Sequence, residues 1–214
     1  MDVTDEITAA LAALRQAESD GVVEISAAPP ASGGAIRARE TGLEPHFGTV
    51  TWSAPPSYRA FLTLHNGLRC VRTVDDVDHE FDIAKEDELV ELNEDLVHLP
   101  EHVTRGDGRA LSTNHLVGFA GAGYEAVWCF DVTRPDEAGE YPVYYHHQDD
   151  EEGRTRYVDS GEWEFPESAA PDFPSFGAWF TAMVGAFTAA EPPEWFEELG
   201  SPGPLFAHAE DATA

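Results

Sequence analysis

Residues 116–132 read LVGFAGAGYEAVWCFDV, and the reading of this stretch decides the fold. Two dense apolar runs flank Ala120, Gly121, Ala122 and Gly123, the pattern of a buried strand, a tight glycine turn and a second strand. In the second run Ala126, Trp128, Phe130 and Val132 fall on one face, and Val127 and Cys129 on the other. Apolar residues on both faces mark a strand covered on each side, so the hairpin is expected at the centre of a sheet. Asp131 interrupts the second face with a charge that needs partners if it is buried.

Toward the C-terminus, residues 133–140 form a loop and residues 141–147 (YPVYYHH) a strand rich in β-formers. Acidic residues 149–152 make a turn, and residues 155–158 are expected to return as another strand. Ser175 is a good N-cap for a helix in which Phe176, Trp179, Phe180, Met183, Val184 and Phe187 share one aromatic face. Such a face packs onto a sheet. Residues 189–214, with Pro192 and Pro193, read as a tail that Trp195, Phe196 and Leu205 dock in part.

Toward the N-terminus, residues 4–20 form an amphipathic helix with Thr4 as N-cap, Ile7, Leu11 and Leu14 inward, and Gly21 beyond its end. A short strand is expected over 22–25 and a Pro/Gly/Ala loop over 27–34, whereas residues 35–53 give no clear period. Residues 57–66 predict a helix with Tyr58, Phe61, Leu62 and His65 on one face, closed by an Asn66-Gly67 cap. Residues 68–82 alternate apolar and polar side chains, and residues 85–97 predict a helix with Leu89, Leu92 and Leu96 inward. A single domain over 1–188 follows, with the tail beyond it.

Charge is the strongest compositional fact: 41 Asp and Glu oppose 12 Lys and Arg, a formal net of −29, with Lys85 the only lysine. Such a surface repels nucleic acid, whose binding needs cations to displace counterions. It favours fast encounter with a basic protein, and it equally fits adaptation to high salt. No apolar run approaches the roughly 20 residues of a membrane span. Asp2, Asp5 and Glu6 precede any basic group, the reverse of a secretory leader, so residence in the cytoplasm is expected.

Catalytic patterns fail. There is no G-x-S-x-G elbow, P-loop or G-x-G-x-x-G. The DVDHEFD run at 76–82 lacks the central glycine and distal glutamate of a calcium loop and reads as a solvated acidic turn. His65 reads as a hydrogen-bonded packing residue. His146, His147 and Asp149 are a weak metal candidate, because adjacent strand side chains point to opposite faces. Cys129 reads as a small buried residue and Cys70 as either buried or free; two cysteines alone cannot complete a zinc site. No catalytic residue, cofactor or metal is assigned, and binding is the leading class.

The order of motifs resembles the SUKH superfamily of small α+β domains over roughly residues 36–184. Pro56, Tyr58 and Phe61 through Asn66 and Gly67 resemble its proline, short helix and "NG" ending. Residues 81–83 with the following helix are similar to its strand-then-helix centre. Gly118, Gly123 and the strand ending in Asp131 resemble its glycine-turn-strand signature, and residues 142–144 and 176–184 its next strand and closing helix. The stretch between Glu40 and Pro55 is longer than the family's usual link.

The resemblance implies one mixed, mostly antiparallel sheet with helices packed against it, and a non-enzymatic binding domain. Bacterial members are usually immunity proteins that bind a cognate toxin, often a nuclease or deaminase; the alternative is a regulatory or scaffolding domain with an endogenous partner. Residues 136–172 carry a dozen acidic residues against Arg154 and Arg156. Asp149, Asp150, Glu151, Glu152, Glu162 and Glu164 are therefore the expected contact surface for a basic toxin, with the chain a monomer or weak dimer. Asp131 is expected to be a structural carboxylate at a strand end.

Overall fold

The computed structural model describes residues 3–42, 52–94, 116–123, 125–147 and 171–202. The six surface carboxylates between Asp149 and Glu164, and the strand expected over 155–158, lie outside the described residues. The elements in chain order are α1 (Val3–Ser19), β1 (Glu24–Ala27), α2 (Gly33–Gly42), α3 (Pro56–Leu62), β2 (Leu68–Val74), β3 (Val77–Ile83), α4 (Leu89–Glu94), β4 (Leu116–Ala122), β5 (Ala126–Asp131), β6 (Val143–His147) and α5 (Phe176–Thr188). A 3-10 turn, Glu194–Phe196, follows.

One six-stranded sheet runs in the order β1-β2-β3-β4-β5-β6, an α+β arrangement. Among the described residues its five pairings are all antiparallel. Spatial neighbours are also neighbours in sequence; β2–β3 and β4–β5 are joined by tight turns, whereas α2 and α3 lie between β1 and β2, and α4 lies between β3 and β4. The hairpin β4–β5 lies inside the sheet with a neighbour on each side. The chain reverses between Ala122 and Ala126, where Gly123 takes a positive φ of 72°.

α1, α3 and α5 cover one face of the sheet. Phe119 and Phe130 stack at 4.1 Å, and Trp179 of α5 meets Phe119 edge-on at 4.9 Å. Tyr58 and Phe61 of α3 close on Phe176 at 5.0 and 5.5 Å. Ser175 accepts from the Ala178 N–H at 3.2 Å, and the whole aromatic face of α5 is buried as its period requires. α1 buries Ile7, Leu11 and Leu14 with Ala10 and Ala17. Val117, Phe119, Trp128 and Phe130 belong to this core, whereas Leu116, Cys129 and Val127 form a smaller cluster of their own. A register shift between Gly118 and Ala120 breaks the alternation of β4, and Val117, Phe119, Ala120 and Ala122 all join the main core.

Several elements differ from expectation, β1 by a two-residue shift to Glu24–Ala27. α2 occupies the stretch without clear periodicity, because it buries only Ile36 and Arg39 and so carries almost no apolar stripe. α3 stops at Leu62, one turn before Asn66-Gly67. Gly67 has φ 124°, and a Cβ there would stand 2.9 Å from the Ile83 carbonyl, so its glycine serves a close approach between two backbone segments. The 68–82 stretch is two strands, broken at Asp75 and Asp76 with φ 51° and 64°. Two positive φ values between paired Val74 and Val77 make the primed two-residue turn that suits a twisted hairpin, and aspartate tolerates that conformation.

Candidate functional site: an acidic groove between β3, β4 and α4

Period 2 along β3 sends His79, Phe81 and Ile83 to the helix side and leaves Glu80 and Asp82 on the other. Glu80 and Asp82, with Glu88, Glu91 and Leu92 beside α4, and Gly121 and Gly123 of the β4–β5 reversal, line a groove of about 310 Å³. Four of its lining residues are carboxylates. Arg69 is committed to Glu80 (Nε to Oε2, 2.9 Å), and Lys85 to Glu88 (Nζ to Oε1, 2.7 Å). Asp82 and Glu91 have no ion pair among the described residues.

The electrostatics are one-sided. Burial pushes the Asp82 carboxyl above its ordinary range, and the charges of Glu88 and Glu80 push it further, against weaker pulls from Lys85 and Arg69. Burial also raises Glu88, but Lys85, through its ammonium and its N–H, more than offsets this and leaves Glu88 below its usual value. The groove thus holds negative charge that its own cations only partly balance, which suits a cationic side chain from outside.

The walls are fixed by buried polar contacts. Asn93 of α4 donates from Nδ2 to the carbonyls of Gly118 at 2.9 Å and Leu89 at 2.7 Å, and accepts from the Gly118 N–H at 2.8 Å. Glu88 accepts from the Lys85 N–H at 3.0 Å in a turn before α4, so the helix starts four residues later than the leucine period suggested. Arg39 of α2, buried, donates to Tyr58 Oη at 2.8 Å, the Ala84 carbonyl at 2.9 Å and Asn66 Oδ1 at 2.7 Å. Asn66 is therefore the receptor of Arg39 and not a helix cap. Glu140 accepts from Ser57 N at 2.7 Å and Ser57 Oγ at 2.6 Å, and that hydroxyl in turn accepts from Gly177 N at 3.1 Å. Burial raises the Glu140 carboxyl while these bonds pull it down.

The residues named from the resemblance are structural in different ways. Pro56 opens α3 beyond an extended Pro55, where its missing N–H is harmless. Tyr58 and Phe61 are fully buried. Asp131, fully buried at the end of β5, accepts from Thr133 N at 3.0 Å and Thr133 Oγ1 at 2.6 Å, with Arg134 at 3.9 Å. His65 Nδ1 lies 3.0 Å from the Ala28 carbonyl and Nε2 3.2 Å from Arg15, a packing histidine with polar partners. Cys129 and Cys70 are both buried, and burial pushes the Cys70 thiol up to about 12. His146 and His147 are buried in β6, with His147 3.8 Å from Glu125, while Asp149 lies outside the described residues.

The groove itself was not read from the sequence. Glu80 and Asp82 alternate with apolar residues, so their shared face was legible, but their convergence with Glu88 and Glu91 depends on where α4 packs. Among the described residues no group of three His, Cys, Asp or Glu side chains is placed to hold a metal ion. None of the described helices is long and apolar enough to cross a membrane.

No curated protein matches the chain significantly. The sequence profile of the SMI1 / KNR4 family (SUKH-1) matches residues 50–181, which run from before α3 through every groove residue into α5. The match covers more than half of the chain and spans five of the six strands, so the chain belongs to the SMI1 / KNR4 family (SUKH-1).

Proposed function

We propose that the chain is a non-enzymatic immunity protein that binds and neutralises a cognate toxin with a basic surface. Family membership supports a binding role, and the observation that carries the choice of partner is the acidic groove within a chain of net charge −29. A nuclease toxin must hold phosphates in a cationic cleft, and an acidic protein steers into such a cleft and blocks it. Asp149, Asp150, Glu151, Glu152, Glu162 and Glu164 are proposed, from the sequence alone, as further contacts for the toxin. Fold alone does not name the toxin's chemistry.

Co-expression with the toxin encoded beside its gene tests the reading. Rescue of growth together with co-purification of the pair is expected. Absence of both, with the chain folded and abundant, would refute it and leave a regulatory role with an endogenous partner.

A further inference from the structure

The β3–β4 ladder consists of two residue pairs, Asp82↔Gly121 and Ile83↔Ala120. Val77 to Phe81 therefore extend past the point where β4 turns away, and the groove opens at this splay, between Glu80 and Gly123. Residues 193–201 lie against the same splay. Phe196, fully buried, packs against the His79 ring at 4.6 Å and Phe187 at 4.9 Å. The Arg72 guanidinium lies 5.7 Å from the Phe196 ring and donates to the carbonyls of Ala186, Phe187 and Ala189 at 3.1, 3.1 and 2.7 Å. It thereby ties β2 to the C-terminal end of α5 from which the segment departs.

The far end of the segment is tied to the other side of the splay. Tyr145 Oη accepts from the Gly200 N–H and donates to the Ser201 carbonyl, each at 2.9 Å. Gly200 has φ 92°, and a Cβ there would stand 3.2 Å from the Ala122 carbonyl. A Cβ on Gly123, a residue of the groove wall, would stand 3.4 Å from the Gly200 Cα. One short segment thus touches β3 at His79, on the helix side of the sheet, and the β4–β5 reversal at Gly123, bridging the two strands that flank the splay.

We propose that residues 193–201 act as a strap that sets the width of the acidic groove, so that strap docking and occupancy of the groove are energetically coupled. The second half of this inference rests on the groove being the partner-binding surface; the first does not. Coupling is reciprocal: a partner seated between Glu80 and Gly123 tightens the strap, and a loosened strap weakens the partner by the same factor.

Hydrogen exchange on the full chain tests it with Tyr145→Phe, which keeps the ring and removes both strap hydrogen bonds. Two lost bonds of about 1 kcal/mol each correspond to roughly thirtyfold more frequent local opening. The expected result is that acceleration in peptides covering 119–127 and 193–202, with α1 peptides unchanged. Acceleration confined to 193–202 would overturn the inference. Phe196→Ala, which frees the other anchor, is expected to accelerate the same two regions. If charge reversal at Glu80 and Glu91 leaves toxin affinity unchanged while exchange at 119–127 still responds to the strap, the proposed groove function fails and the strap does not.

Discussion

The carboxamide of Asn93 meets the backbone of Gly118 as a neighbouring strand would, donating to its carbonyl at 2.9 Å and accepting from its N–H at 2.8 Å. β3 has ended at Ile83, and Gly118 sits at the register shift of β4, so on the side away from β5 its two buried backbone groups have no strand to pair with. A buried amide group left without a partner costs about 1–3 kcal/mol. One side chain satisfies both and anchors α4, with Glu88 and Glu91 beside the groove.

Asn93→Leu keeps the volume and removes the amide. The expected loss is about 2–4 kcal/mol in urea unfolding, since the Gly118 groups lose their partner together. A loss below about 0.5 kcal/mol, the scatter of surface substitutions, would show that water replaces the amide.

Arg39 joins α2 to Asn66, Tyr58 and Ala84, although it lies before the family-matched residues. Arg39→Lys retains the charge and loses the fork. It is expected to destabilise by about 2–3 kcal/mol, because an ammonium cannot reach all three acceptors in their present places. Denaturation of Arg39→Lys beside Arg39→Met checks this. Wild-type stability in the Lys variant would mean that charge alone matters.

Asp82 gives a pH signature. Its folded carboxyl is raised above the 3.8 of an unperturbed aspartate, by burial first and then by Glu88 and Glu80. Between the two values the folded chain holds more proton than the unfolded one, so stability falls as pH rises through that window. The cost is complete above the folded value and absent below 3.8. Asp82→Asn is expected to melt higher than wild type at pH 7, with the difference vanishing as pH falls below the ordinary carboxylate range. A constant difference across the whole range would contradict this origin.

The elements that the sequence revealed are those with a strong period. The α1 stripe, the α5 aromatic face and the two apolar faces of β4–β5 each repeat a simple spacing, and burial follows it. Polar residues that serve tertiary partners left no such trace. Arg39 sits in a helix with one buried aliphatic residue, and Asn93 completes a sheet that the chain reaches only after residue 115. Arg72 shows the intermediate case: period 2 from Leu68 and Cys70 put it on the helix side, but its role as a cap depends on where α5 ends. The Asn66-Gly67 pair reads as a helix end, but the same dipeptide here serves as a side-chain receptor followed by a close backbone approach.

The most direct test is the association rate of the full chain with the toxin encoded beside its gene, followed from about 50 to about 300 mM salt, where the Debye length shortens from about 14 to about 6 Å. Wild type is expected to associate fast and to slow steeply with salt. The Glu80→Lys/Glu91→Lys variant is expected to associate about tenfold more slowly at low salt, with a flatter dependence. Equal rates and equal salt slopes for the two proteins would contradict recognition through the acidic groove.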